Sequence, residues 1–248
     1  KQDPSVAELQ KKLDRLATAS GAPKTWRGDV GGALDSYNTT RGTEGMFFAQ
    51  LGAQANGWLN VSAGVEQMRW FGATDTRLNA VAAFRLPGDV SASVRGAVTP
   101  SAHFLASWEL WGTLDWQALK ALNVALWVRH NEYAISSVTT FIPNFRVDVG
   151  QVFVSAQVAA TLATGSDPTF SAAGKVGYQF TDAVSAYLGG AHGNEPMPPL
   201  PAADTTSGFA GVLWDLNATF GVRLDYAFEH RVDQYDKHTI GTGVTLRF

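Results

Sequence analysis

The sequence predicts an all-β fold: a transmembrane antiparallel up-and-down β-barrel of about fourteen strands (about twelve to sixteen), preceded by a short N-terminal helix. Three observations carry this. Apolar residues recur with a period of two from Trp26 to the last residue, Phe248. Charge gathers on one face of that alternation and small aliphatics on the other. Short turns alternate with longer or more polar links, as in bacterial outer-membrane barrels.

Composition agrees. Charged residues are 17% of the 248, below the average of about 25% for soluble domains. Hydrophobic residues are 45%, yet mean hydropathy is only -0.06, and no run approaches the ~18 apolar residues of a membrane helix. The 14 Phe, 8 Trp and 6 Tyr argue against disorder. A net charge of -3 leaves no basic footprint for nucleic acid. The absence of cysteine excludes disulfides, thiol chemistry and Cys-bound metals, and fits an envelope protein that folds without an oxidation step. Lys1-Gln2-Asp3-Pro4 has no apolar signal core, so an exported protein is expected to be in its mature form here.

The first element differs from the rest. Val6, Leu9, Leu13 and Leu16 are spaced as a helical stripe, with Lys11, Lys12, Asp14 and Arg15 between them, Pro4 near the start and Gly21-Ala22-Pro23 at the end. Residues 1–22 are therefore expected to be a periplasmic amphipathic helix and linker, and 23–248 the barrel.

Fourteen segments then begin near Trp26, Thr43, Trp58, Thr76, Val90, Leu105, Leu122, Val138, Val152, Phe170, Val184, Gly208, Phe220 and Thr239. In the last, Ile240, Thr242, Val244, Leu246 and Phe248 share one face while Thr239, Gly241, Gly243, Thr245 and Arg247 share the other. The short links include Asn56-Gly57, Pro87-Gly88-Asp89, Gln117 to Ala121, Val149-Gly150-Gln151, Thr181-Asp182-Ala183 and Asn217-Ala218-Thr219. Longer loops are expected at Ser36 to Gly42, Gly72 to Asp75, Gly165 to Pro168, the proline-rich Gly193 to Thr206 and Val232 to His238. An even strand number puts both chain ends on the short-turn side.

The predicted inner face carries Arg27, Asp29, Asp35, Glu66, Arg77, Arg85, Arg95, Glu109, Asp115, Arg129, Arg146, Asp148, Lys175, Arg223, Asp225, Glu229, Arg231 and Arg247. The apolar face of Val, Ala, Leu and Gly suits lipid tails, and closure pairs every backbone group that hydrocarbon would leave unsatisfied. Aromatics near segment ends, among them Trp26, Phe47, Trp58, Trp70, Phe71, Trp116, Tyr133, Phe141, Tyr178, Phe180, Phe220, Tyr226, Phe228 and Phe248, read as two interfacial girdles. The competing reading is ordinary strand preference for aromatics. An alternating strand ending Thr245-Leu246-Arg247-Phe248 resembles the terminal signal by which bacterial barrels are recognised for assembly.

The second half resembles the YaiO-type outer-membrane β-barrel family. The matching residues are Trp108-Glu109-Leu110-Trp111, Ala125-Leu126-Trp127-Val128-Arg129, Tyr226-Ala227-Phe228-Glu229-His230-Arg231, Tyr235, and Thr239 to Phe248. The resemblance implies a barrel related to exopolysaccharide exporters, in which a periplasmic helical scaffold often precedes the barrel.

Enzyme chemistry would rest on the histidines, His103, His130, His192, His230 and His238, all near loops or strand ends. His103 with Ser107, or His230 with Asp233, are the pairings that spacing offers, and neither sits in a lipase or protease signature. No phosphate cradle and no cofactor motif is present. Asp225, Glu229, Asp233 and Asp236 offer oxygens for calcium, but strand alternation divides them, so no metal is expected. The Gly31-Gly32 and Gly189-Gly190 pairs are expected to permit bends or close approach.

What remains is the lumen. Trp111, Trp127, Tyr187 and Phe48 point inward among Glu109, Asp115, Arg129, Arg146, Arg223, Asp225, Glu229 and Arg231, the set expected to meet a solute. Ten bases against eight acids make the interior nearly neutral. Aromatic faces beside such groups suit sugars, so passage or export of a polar solute, polysaccharide above all, is the first expectation. The others are a non-conducting barrel that anchors a periplasmic or surface assembly through residues 1–20, and an outer-membrane enzyme. Outer-membrane lipid and lipopolysaccharide are the expected surroundings.

Overall fold

The structure, a computed structural model, describes residues 25–38, 43–70, 72–197 and 200–248. The expected helix at 1–22 lies outside them. Fourteen strands run in order: β1 (Trp26–Tyr37), β2 (Thr43–Asn56), β3 (Leu59–Trp70), β4 (Ala73–Leu86), β5 (Val90–Val98), β6 (Trp108–Leu119), β7 (Leu122–Glu132), β8 (Ser137–Val149), β9 (Val152–Ala163), β10 (Thr169–Gln179), β11 (Val184–Met197), β12 (Leu200–Asp215), β13 (Phe220–Arg231) and β14 (Tyr235–Arg247). Each pairs antiparallel with its neighbours in sequence, and β1 closes the barrel on β14. At that seam Arg27 stands opposite Arg247, and Trp26 and Phe248 exchange backbone hydrogen bonds of 2.9 and 3.0 Å. Closure leaves no open edge, the condition for a sheet that crosses hydrocarbon.

Alternation assigns the faces. On β9, Val154, Val158 and Leu162 are 52%, 51% and 48% exposed, while Phe153, Ser155 and Gln157 face inward. The same phase turns Leu34, Leu51, Leu78, Val94, Leu114, Leu126, Leu188 and Leu224 outward. A belt of exposed aliphatics around a closed barrel is stable only in lipid. Trp26, Trp58, Trp116, Phe180, Trp214 and Phe248 ring the end where β1 begins and β14 finishes, and Phe47, Trp108, Phe141 and Phe170 lie outward toward the other.

Turn chemistry accounts for the terminal end. Asn56 Oδ1 accepts from the backbone N–H groups of Trp58 and Leu59, at 3.0 and 2.9 Å, and Asn217 Oδ1 does the same for Thr219 and Phe220. Gly88 and Asp89, with φ of +80° and 57°, supply the two left-handed residues of a tight hairpin between β4 and β5.

Five expectations are corrected. The proline-rich stretch expected as a loop is hairpin: β11 and β12 pair through Asn194↔Asp204, Glu195↔Ala203 and Met197↔Leu200, because extended backbone accommodates proline at an edge that lacks a further neighbour. The loop expected at Val232 to His238 is likewise reduced to a tight turn over Val232 to Gln234, with β14 beginning at Tyr235. The contrast in link length mostly disappears, and the Thr99–Ser107 connection is the longest between described strands. That connection also delays β6 from Leu105 to Trp108, since the Asp75 carboxylate captures the N–H groups of His103, Phe104 and Leu105 at 2.8–3.1 Å. Trp70 does not belong to the girdle. It shares the inward phase of Glu66 and Met68, is 6% exposed, and packs edge-on to Phe104 with ring centres 5.3 Å apart.

Candidate functional site

The eighteen charged residues assigned inward by alternation all lie on the inner phase of their strands. The structure adds Glu44, Asp75, Asp215 and Lys237 to that face, each buried. Asp75 and Lys237 were missed because both fall in stretches read as loops. Had the phase of β14 been run back from Thr239, Lys237 would have been found. Asp215 shares the inward parity of Leu213 and Phe209 at the end of β12.

Two walls emerge. On the first, Glu66 of β3 accepts from Arg77 directly opposite on β4, from Asn79 at 3.2 Å and from Arg95 of β5 at 2.5 Å. Glu109 of β6 stands 3.6 Å from Arg77 and 3.9 Å from Arg95, and the Asn131 amide, oriented to donate, reaches its Oε2 at 3.0 Å. Arg95, Trp111 and Arg129 then lie opposite one another on β5, β6 and β7. The Arg129 guanidinium sits 5.5 Å from the centre of the Trp111 ring, and Trp127 lies 6.4 Å from Trp111. Asp115 is approached by Thr113 and the Trp127 indole. Five of the predicted site residues, Glu109, Trp111, Asp115, Trp127 and Arg129, thus share one surface.

The second wall is a chain from β8 to β13. Arg146 binds Asp148, two residues on, at 2.7 Å and lies 4.1 Å over Phe153. Lys175 lies 5.3 Å from both the Phe153 and the Tyr187 rings. Tyr187 donates to Asp225, which Arg223 also binds at 2.5 Å. Glu229, farther along β13, meets Lys237 at 3.0 Å and the Tyr235 hydroxyl at 2.9 Å, while Arg231 donates to Gln234. Arg146, Tyr187, Arg223 and Asp225 are therefore brought together. Glu229 and Arg231 form a separate group at the far end.

Inward glycines make room for inward rings. A Cβ on Gly177 would lie 2.1 Å from Phe153, and Gly31, Gly189 and Gly211 hold Phe48, Phe209 and Tyr187 in the same way. The close approach expected at Gly31 and Gly189 is thus a ring lying flat on the wall. It keeps Phe48 and Tyr187 against the barrel, whereas Trp111 and Trp127 lean on Arg129 and each other.

The named ion pairs join residues of one strand or of strands one or two places apart. Some keep access to water, with Arg95, Arg146, Asp148, Arg223 and Asp225 23–32% exposed, whereas Glu109 and Lys237 are buried. The histidine pairings that spacing offered are not made. His103 bonds Asp75 at 2.8 Å, while Ser107 donates to the Glu132 carbonyl. His230 bonds Asp236, not Asp233.

No family model matches the chain, and no curated protein matches it. Solved structures do. The CymD monoaromatic hydrocarbon channel is 10% identical, with 96% of this chain and 92% of that one covered and a TM-score of 0.64. The OmpF complex with daunomycin from Salmonella typhi is 11% identical, covers 90% and 97%, and scores 0.53. The KdgM porin in complex with disordered oligogalacturonate is 5% identical, covers 89% and 99%, and scores 0.53. The fold is that of a bacterial outer-membrane barrel. With the apolar belt and the closed seam, it places the chain in the bacterial outer membrane.

Proposed function

We propose that the barrel is a channel that lets a polar solute cross the outer membrane, with carbohydrate as its preferred cargo. One observation carries the reading: the pairs Arg95–Glu66, Arg146–Asp148 and Arg223–Asp225 run along the inner wall and remain partly open to water. A barrel that served only as an anchor gains nothing from hydrating its interior, whereas a passage for hydroxyl-rich solutes requires donors and acceptors along its path. The near balance of acids and bases suits a hydroxyl-rich solute, held by local donors and acceptors, better than a bare ion of one sign. Trp111 and Trp127 add apolar faces of the kind that sugar rings stack on. Both the resemblance of the second half to YaiO-type barrels and the oligogalacturonate held by KdgM point to saccharides.

Swelling of proteoliposomes in sugars of increasing size tests this. Permeation by mono- and disaccharides with a sharp size limit is expected, and vesicles that stay impermeable to every sugar would overturn the proposal.

A further inference from the structure

We propose that Arg129 and Trp111 form a binding site for a carboxylate borne on a sugar ring, so that the cargo is an acidic oligosaccharide. The proposal rests on the channel reading and narrows its substrate class. Most lumen arginines have a carboxylate: Arg27 has Asp29, Arg77 and Arg95 share Glu66, Arg146 has Asp148, and Arg223 has Asp225. Arg129 has none within ion-pair distance among the described residues, and its guanidinium lies 5.5 Å from the centre of the Trp111 ring.

The neighbouring acids turn to other groups. Glu109 faces Arg77, Arg95 and Asn131, with its Oε1 3.9 Å from Arg95 Nε, and Asp115 is met by Thr113 and the Trp127 indole. Two donors on this surface, Trp111 Nε1 and Arg129 Nε, are buried with no acceptor. Buried donors are nearly always satisfied, so two of them on directly opposed residues of adjacent strands mark a place where something else supplies the oxygens. A guanidinium fork matches a carboxylate with two parallel hydrogen bonds. A uronate presents that carboxylate on the same ring whose C–H face can lie on an indole, so one residue of the sugar chain meets both Arg129 and the tryptophan pair.

The test titrates trigalacturonate, maltotriose and succinate against the folded protein, by calorimetry in detergent and by interruption of single-channel current. Trigalacturonate has both ring and charge, maltotriose the ring alone and succinate the charge alone. Trigalacturonate is expected to bind at least roughly ten-fold more tightly than either, as a charge-assisted pair in a partly dry site requires. R129Q should reduce it to the level of maltotriose, and R129K, which keeps charge without the fork, should lose part of the preference. Equal binding of trigalacturonate and maltotriose, or a preference unchanged in both variants, would overturn the site. Conductance without acid preference would sink the site and leave the channel standing. Acid binding in calorimetry with a silent bilayer would do the reverse.

Discussion

Arg247 reaches over β13 to Asp215, its Nη2 donating to Oδ1 at 2.7 Å, and the residue beneath that bond is Gly221. A Cβ there would lie 2.7 Å from the Asp215 oxygen. The pair therefore ties β14 to β12 past the one position of β13 at that level, Gly221, which has no side chain. With both side chains under a tenth exposed, removing one partner leaves a poorly compensated buried charge. Arg247→Ala should cost about 3 kcal/mol or more, and Gly221→Val should cost a similar amount by parting the pair. Urea unfolding of the folded barrel in vesicles measures both, and wild-type midpoints would show that the bond contributes nothing.

Asp75 holds the Thr99–Ser107 connection through three backbone N–H groups and His103 Nδ1. Bonds to a buried carboxylate are worth more than neutral ones. Asp75→Ala should therefore release the segment while the barrel stays folded, and amide exchange at His103 to Leu105 should accelerate by at least roughly ten-fold. Unchanged exchange there would mean that Phe104 packing on Trp70 alone fixes the loop.

Gly177 bears the Phe153 ring, which in turn sits under Arg146 and Lys175. A methyl group at Gly177 must displace the ring, at a cost of about 1–3 kcal/mol typical of overpacking. The same change made in a Phe153→Ala background should cost markedly less. A double-mutant cycle showing no coupling would refute the ring-on-glycine account.

The assignment of faces is tested on adjacent residues of β9. Val158 faces lipid and Gln157 faces the lumen, where it accepts from Asn144 at 3.2 Å. Val158→Arg should destabilise the barrel in vesicles by about 2–4 kcal/mol. Gln157→Arg should cost about 1 kcal/mol, the worth of one hydrogen bond. Reversal of that order would invert the barrel's inside and outside.

Strand positions were legible because a period of two is imposed by the pleat itself and needs no tertiary knowledge. Val90, Leu122, Val152, Val184 and Phe220 begin strands where the alternation begins. Phase also found the inward charges. It failed where composition overrode it: Lys237, Pro196 and Pro201 looked like loop and are in strands. Trp70 was read by residue type as an interfacial ring although its parity is that of Glu66. The Asp75 anchor was out of reach for a different reason, since its partners lie 28–30 residues away on a connection whose backbone shape no local pattern encodes. The pairing of Arg129 with a ring instead of an acid is a matter of side-chain reach across β6 and β7, which alternation leaves open.

The central claim is an open, hydrated passage, and the current through single folded barrels in a planar bilayer addresses it most directly. The account predicts steady unitary conductance, with weak preference between cations and anions, that oligosaccharides interrupt in a concentration-dependent way. Correctly folded protein that inserts and carries no current would contradict it.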